Sequence, residues 1–152
     1  ETVQDMAKDY PEVTVSYEFV DAVAMRLVQW PNSYDVLITE NLFGDILTDE
    51  ASVISGSMGL MPSASVGDKT SLYEPIHGSY PQATGKDIAN PLATILSAAM
   101  MFEDAFGLKE EAEAIRNVVN KSLEQGIVTE DLSGKNKAYK TSEVGDWLVT
   151  NL

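Results

Sequence analysis

Apolar residues recur along this chain at alternating periods, first helical, then strand-like, then helical again. Val3, Met6, Ala7 and Tyr10 share a helix face across residues 1–10, and Pro11 closes that element. Val13, Val15, Tyr17 and Phe19 then alternate with other residues, which predicts a strand over 13–20. Ala22, Met25, Leu27 and Val28 restore the helical period over 21–30, ahead of Pro31. Within 34–40 the short run Val36-Leu37-Ile38 reads as a buried strand, and 43–54 reads as a helix. Residues 56–67 are rich in Gly, Ser and Pro, the composition of a loop with short extended pieces.

The second half reads differently. A short strand is expected over 72–76, followed by turn-forming residues through 77–89. Asn90-Pro91 predicts a helix start, with Asn as cap and Pro in the first helical position. The helix over 92–106 is apolar on most sides and should be buried, and Gly107 should end it. Lys109–Gln125 places Ala112, Ile115, Val118, Val119 and Leu123 on one face and stops at Gly126. A last short helix is expected over 142–152, capped near Thr141 or Ser142. Strand–helix alternation argues for an α/β fold. Parallel sheets of two or three strands are seldom self-sufficient, so completion by further sequence or a partner chain is expected.

Composition narrows the function classes. The chain has 152 residues, 44% hydrophobic and 22% charged, as in an ordinary soluble domain. No apolar run approaches the roughly 18 residues of a membrane span, and no secretory signal pattern opens the chain. It begins at Glu1 rather than Met, as expected of a piece of a longer protein. A net charge of −14 repels phosphate backbones and argues against nucleic-acid partners. No cysteine is present, which removes disulfides, iron–sulfur clusters and thiol nucleophiles and fits a cytoplasmic protein. One histidine, His77, removes multi-histidine zinc sites.

Candidate chemistry gathers in two places. Asp45 and Asp49 lie four apart and share a helix face, where like charges repel unless a cation joins them. Mg²⁺ and similar hard cations take a few carboxylates plus water and substrate oxygens. The plain alternative is two solvated acids near a helix N-terminus. Asp21 opens another helix after an apolar strand, and its plain alternative is an ordinary N-cap. The second place is Glu74-Pro75-Ile76-His77-Gly78-Ser79 together with Gly85-Lys86-Asp87-Ile88-Ala89-Asn90, where Gly78 permits close backbone approach. A nucleotide could lie against such loops at a helix N-terminus, and two structural turns with a surface histidine are the alternative. Neither G-x-G-x-x-G nor G-x-x-x-x-G-K-[ST] occurs, and no serine triad is indicated.

These residues resemble one family. Asn41-Leu42-Phe43-Gly44-Asp45-Ile46-Leu47-Thr48-Asp49 is similar to the metal-site signature of isocitrate and isopropylmalate dehydrogenases. Segments 56–65, 74–79 and 88–101 are similar too, in the family's order, and together the likeness covers essentially the whole chain. The resemblance implies an α/β, isopropylmalate dehydrogenase-like two-domain fold of which only the C-terminal portion is present. Residues 1–55 would end the substrate and dimerisation domain, and 56–152 would belong to the cofactor domain. Asp45 and Asp49 would bind Mg²⁺ or Mn²⁺, with Asp21 supplied across the interface of a homodimer. Glu74, His77, Gly78, Ser79, Gln82 and Asn90 would line an NAD site, Asn90 near the adenine. The implied reaction is metal-dependent oxidation and decarboxylation of 3-isopropylmalate in cytoplasmic leucine biosynthesis. Isocitrate, homoisocitrate and tartrate/malate remain alternative substrates within the family. A non-catalytic metal-binding dimerisation module is the alternative of another class.

Two departures from the family pattern bear on this reading. Gln82 stands where the family usually carries an Asp against the adenosine ribose, which weakens the NAD preference; the Lys-Tyr pair of NADP-dependent relatives is also missing, and NAD is still expected. The family's substrate-binding arginines and its catalytic Tyr and Lys precede the matched region, and Arg26 and Lys86 do not match them. No catalytic residue is therefore expected here, and this chain alone is expected to be inactive.

Overall fold

Seven α-helices and one pair of strands make up the regular structure of residues 2–152, which a computed structural model describes. In order these are α1 (Thr2–Met6), α2 (Val20–Gln29), α3 (Asn41–Ser55), β1 (Pro62–Ser65), β2 (Leu72–Pro75), α4 (Leu92–Asp104), α5 (Lys109–Gln125), α6 (Glu130–Ser133) and α7 (Thr141–Asn151). Short 3₁₀ turns occupy Ala7–Asp9, Pro31–Ser33, Met58–Leu60 and Pro81–Ala83. The chain divides into two compact units, one running to Ala51 and the other Ser52–Leu152.

In the first unit, α2 and α3 turn apolar stripes toward a small core. Val23, Leu27 and Leu47 are buried there, with Val20, Ala24 and Tyr34 packed against them. The expected N-terminal helix is shorter than its period suggests. It turns to 3₁₀ geometry at Ala7, and Glu1 lies outside the described residues.

The two strands expected over 13–20 and 34–40 do not form among the described residues. Their apolar side chains lie open, with Phe19 83% exposed and Val36 and Ile38 each 79% exposed. A strand exists only as half of a hydrogen-bonded pair, and no neighbour is supplied to either segment here.

The second unit holds the larger core. Leu92, Val118, Val119, Val144 and Leu148 bury side chains from α4, α5 and α7, and Leu60, Ile95, Leu96, Leu123, Leu132, Tyr139 and Trp147 pack around them. Helix α4 lies against α5 and also against β1 and β2. The strands pair antiparallel, Pro62 opposite Pro75 and Ser65 opposite Leu72, rather than as part of a parallel sheet. The Ile76 N–H continues the ladder to the Met61 carbonyl at 3.1 Å. Helix α5 stops where its sequence says it should. Gly126 turns left-handed at φ 68°, and the N–H groups of Gly126 and Ile127 donate to the Leu123 and Ser122 carbonyls.

Helix α4 begins one residue later than expected, at Leu92, with Pro91 flanking it. Asn90 still acts as a cap, because its Oδ1 accepts the Leu92 N–H at 2.9 Å. Helix α7 starts at Thr141, after Lys140, whose side chain has no acceptor to offer a helix N-terminus. Glu143 and Asp87 supply the acceptors instead, from within the helix and from the 85–90 loop.

Candidate metal and cofactor residues

Helix α3 presents Asp45 and Asp49 on one exposed face, separated by one helical turn of about 5–6 Å along the axis. Gly44, just before Asp45, sits in a tight corner: a Cβ there would lie 3.1 Å from the Thr39 methyl. The Gly44 N–H donates to the Glu40 carbonyl at 2.8 Å, so the helix begins within the segment that carries these acids. Asp21 stands exposed in the first turn of α2, with its Oδ1 accepting the N–H of Ala22 at 2.9 Å. Among the described residues no three acids or histidines come together in a single cluster. Two exposed carboxylates one turn apart are a suitable partial donor set for a hard divalent cation that keeps water and substrate oxygens as its other ligands.

Beside α2, Glu18 organises a polar knot. It pairs with Arg26 and accepts the Tyr34 hydroxyl at 2.8 Å. Desolvation, followed by the hydrogen bond and charge of Glu18, raises the Tyr34 pKa above its ordinary value.

The second set of candidate residues follows β2. Glu74 is exposed on the strand opposite Ser63. The chain then enters the turn at His77, a half-buried residue whose Nδ1 lies 2.9 Å from the Gly78 carbonyl oxygen. A carbonyl can only accept, so in this contact Nδ1 is the donor, and Nε2 is the ring's remaining polar atom. A Cβ added to Gly78 would meet nothing within 4 Å, so the backbone there is open to approach. Ser79 is exposed, and Gln82 is exposed on the 3₁₀ turn whose Ala83 is buried.

Residues 85–90 are held from the C-terminal side. Asp87, at φ 55°, accepts the Ser142 N–H at 3.0 Å and the Ser142 hydroxyl at 2.6 Å. The Thr141 N–H reaches the Asp87 carbonyl at 3.0 Å, and its hydroxyl reaches the Ala89 carbonyl at 2.6 Å. The Ser142 hydroxyl and N–H hold the Asp87 carboxyl below the usual range.

Asn90 is more constrained than a simple cap. Its Oδ1 takes the Leu92 N–H, and its Nδ2 donates to Asp131 at 2.9 Å. A Cβ on Gly59 would fall 2.6 Å from the Asn90 Cβ, so the 58–60 turn presses directly against it. Asp131 and Gly59 are the residues that the sequence reading missed. Thr129-Glu130-Asp131 has the polar composition of a helix start, and Gly59 lies in a segment read as loop and as part of the family likeness, with no role given to the glycine itself.

Comparison with known proteins identifies the family. The family model described as isocitrate/isopropylmalate dehydrogenase matches residues 1–148. The 3-isopropylmalate dehydrogenase of Bacteroides fragilis is 56% identical over 147 residues, covering 96% of this chain and 41% of that protein. The 3-isopropylmalate dehydrogenase of Clostridium acetobutylicum is 49% identical over 154 residues, covering all of this chain and 43% of that protein. Among solved structures, an isocitrate dehydrogenase from Methylococcus capsulatus superposes with a TM-score of 0.91 at 38% identity, over 97% of this chain and 43% of that one. A beta-decarboxylating dehydrogenase from Thermococcus kodakarensis does so at 0.83 and 38%, over 98% of this chain and 43% of that one. The chain therefore spans less than half the length of these relatives. The match runs through both units and carries the α3 acids and the 74–90 loops within it: the chain belongs to the isocitrate/isopropylmalate dehydrogenase family.

Proposed function

We propose that this chain is the C-terminal portion of a 3-isopropylmalate dehydrogenase, an NAD-dependent enzyme that oxidises and decarboxylates 3-isopropylmalate to 4-methyl-2-oxopentanoate in leucine biosynthesis. The observation that carries the substrate choice is the 56% identity to a 3-isopropylmalate dehydrogenase over nearly the whole chain. The likeness to an isocitrate dehydrogenase structure is lower, at 38%.

In this reading Asp45 and Asp49 would hold Mg²⁺ or Mn²⁺ together with Asp21 of the partner subunit in a homodimer. That arrangement is consistent with carboxylates that face solvent without forming a three-acid cluster among the described residues. When bound, the cation supplies a Lewis acid for decarboxylation and NAD supplies the hydride acceptor. The open backbone at Gly78 would let the cofactor approach β2's outgoing turn, with Glu74, His77 and Ser79 beside it. His77, with Nδ1 committed to the Gly78 carbonyl, would have Nε2 as its remaining polar atom toward the cofactor. Gln82 would meet the adenosine ribose through a neutral amide and Asn90 would border the adenine. Residues 1–55 would close the substrate and dimerisation domain, and 56–152 would build the far side of the cofactor domain. The proton-transfer Tyr and Lys and the carboxylate-binding arginines would lie elsewhere on the full-length polypeptide, in its cytoplasmic form.

Turnover of the full-length protein with Mn²⁺, NAD and 3-isopropylmalate, compared with isocitrate, homoisocitrate and tartrate/malate, tests the substrate. A clear preference for any of the others overturns it. The 152-residue chain alone should show no turnover. In the full-length protein Asp45→Asn and Asp49→Asn should each weaken Mn²⁺ binding at least tenfold, about the worth of one charged contact. Unchanged Mn²⁺ titrations would remove α3 from the metal site.

A further inference from the structure

Asn90 has two polar ends, and the structure gives them partners of opposite kind. The Leu92 N–H is a donor and requires the amide oxygen. The Asp131 carboxylate is an acceptor and requires the amide NH₂. With both present, a single orientation of the amide satisfies its neighbours. Without the carboxylate the amide could turn over, setting NH₂ against N–H and unmaking the helix cap.

Asp131 is in turn held from two further sides. Its Oδ2 accepts the Ser57 hydroxyl, and its Oδ1 accepts the Thr129 hydroxyl at 2.5 Å. Three chain segments distant in sequence therefore meet on one carboxylate: the turn before β1, the start of α4 and the start of α6. Ser57 also accepts the Gly59 N–H at 3.0 Å, so the residue that steadies Asp131 also shapes the turn that presses on Asn90.

We infer that Asp131 is a positioning residue for the adenine end of the dinucleotide site, acting through Asn90. The inference rests on the cofactor-site reading above and adds to it the residue that fixes the Asn90 amide. Desolvation pushes the Asp131 carboxyl up, but the hydrogen bonds from Ser57, Thr129 and Asn90 outweigh it and leave the group below the usual range. The carboxylate form that the arrangement needs is thereby present throughout the neutral range.

The test is titration of NAD, and separately of AMP, into the full-length protein, with turnover measured alongside. If the unsubstituted protein binds neither, the cofactor-site reading fails and takes this inference with it. If it binds both, Asp131→Asn should weaken NAD and AMP about tenfold, as expected for losing a hydrogen bond to a charged group. The KM for NAD should rise with kcat little changed, because Asp131 touches no reacting atom. In an Asn90→Ala background the same substitution should have no further effect on either ligand. Undiminished binding in Asp131→Asn, or a full loss persisting without the Asn90 side chain, overturns the inference. Two further variants guard against a folding failure of Asp131→Asn. Ser57→Ala removes one hydrogen bond from the carboxylate and the cap of the 58–60 turn while leaving both polar partners of the Asn90 amide in place, and Gly59→Ala crowds Asn90 with Asp131 intact. Both should weaken AMP binding with unfolding transitions that remain cooperative, and unaltered AMP affinity in both would also defeat it.

Discussion

At Asp87 a single carboxylate does the work of a helix cap for an element more than fifty residues away. It satisfies the Ser142 N–H and hydroxyl at the start of α7, where Lys140 has only donors to offer. Asp and Asn tolerate the left-handed backbone better than other non-glycine residues, which suits Asp87 to φ 55°. The folded-state pKa is depressed, chiefly by the Ser142 hydroxyl and N–H. A depressed acid contributes stability above its unfolded value of about 3.9 and loses it as pH falls through the lower folded value. Asp87→Asn keeps the shape and the backbone tolerance but cannot ionise. Urea midpoints of the two proteins should therefore differ by a constant amount between neutral pH and about pH 5, the original being more stable. The gap should close below about pH 4. A gap that persists undiminished into strong acid would show that the charge is not what α7 uses.

The helices were legible because their signals are local. The α5 pattern predicts both of its ends, and the stop at Gly126 has a physical cause: the left-handed φ of 68° costs an L-residue with a Cβ about 1–2 kcal/mol. Gly126→Ala should lower stability by about that amount and Gly126→Asn by less. Chemical denaturation that ranks the two equally would mean the turn relaxes to another conformation. Strands depend on what lies opposite them, and here the sequence misleads. Val36-Leu37-Ile38 has the composition of a buried strand, yet its side chains stand in solvent because nothing among the described residues pairs with it. Pro62–Ser65 falls in a segment read as loop with short extended pieces, and that short piece does find a partner in Leu72–Pro75. The site follows the same division. Asp45 and Asp49 declare a shared face by spacing, which offers a cation site beside the plainer reading of two solvated acids, and the family likeness is what favours the cation. Asp131 could be read from the sequence only as part of a helix start, since its link to Asn90 spans 41 positions and exists only once the fold brings them together.

For the whole chain, two opposed surface properties decide how it behaves in solution. Phe19, Val36, Ile38 and Val53 are each more than three-quarters exposed, an apolar display that ordinarily marks an interface or an aggregation hazard. Against this stands a net charge of −14, which keeps copies of the chain apart at long range. That repulsion is screened over about 30 Å at 0.01 M salt but only about 3 Å at 1 M, while apolar attraction survives the salt. The 152-residue chain should therefore bind an apolar dye such as ANS at all ionic strengths, yet sediment as small species at low salt and as larger ones at high salt. Lysines at Val36 and Ile38 would place charge on the open segment, the device by which exposed strand edges are ordinarily protected. The Val36→Lys/Ile38→Lys variant should lose much of the dye signal and resist the salt-driven shift, although each lysine also reduces the net negative charge. Because that change alone would promote association, a variant that nevertheless stays small at high salt assigns the attraction to this segment. One that associates as readily as the original places it on another exposed surface.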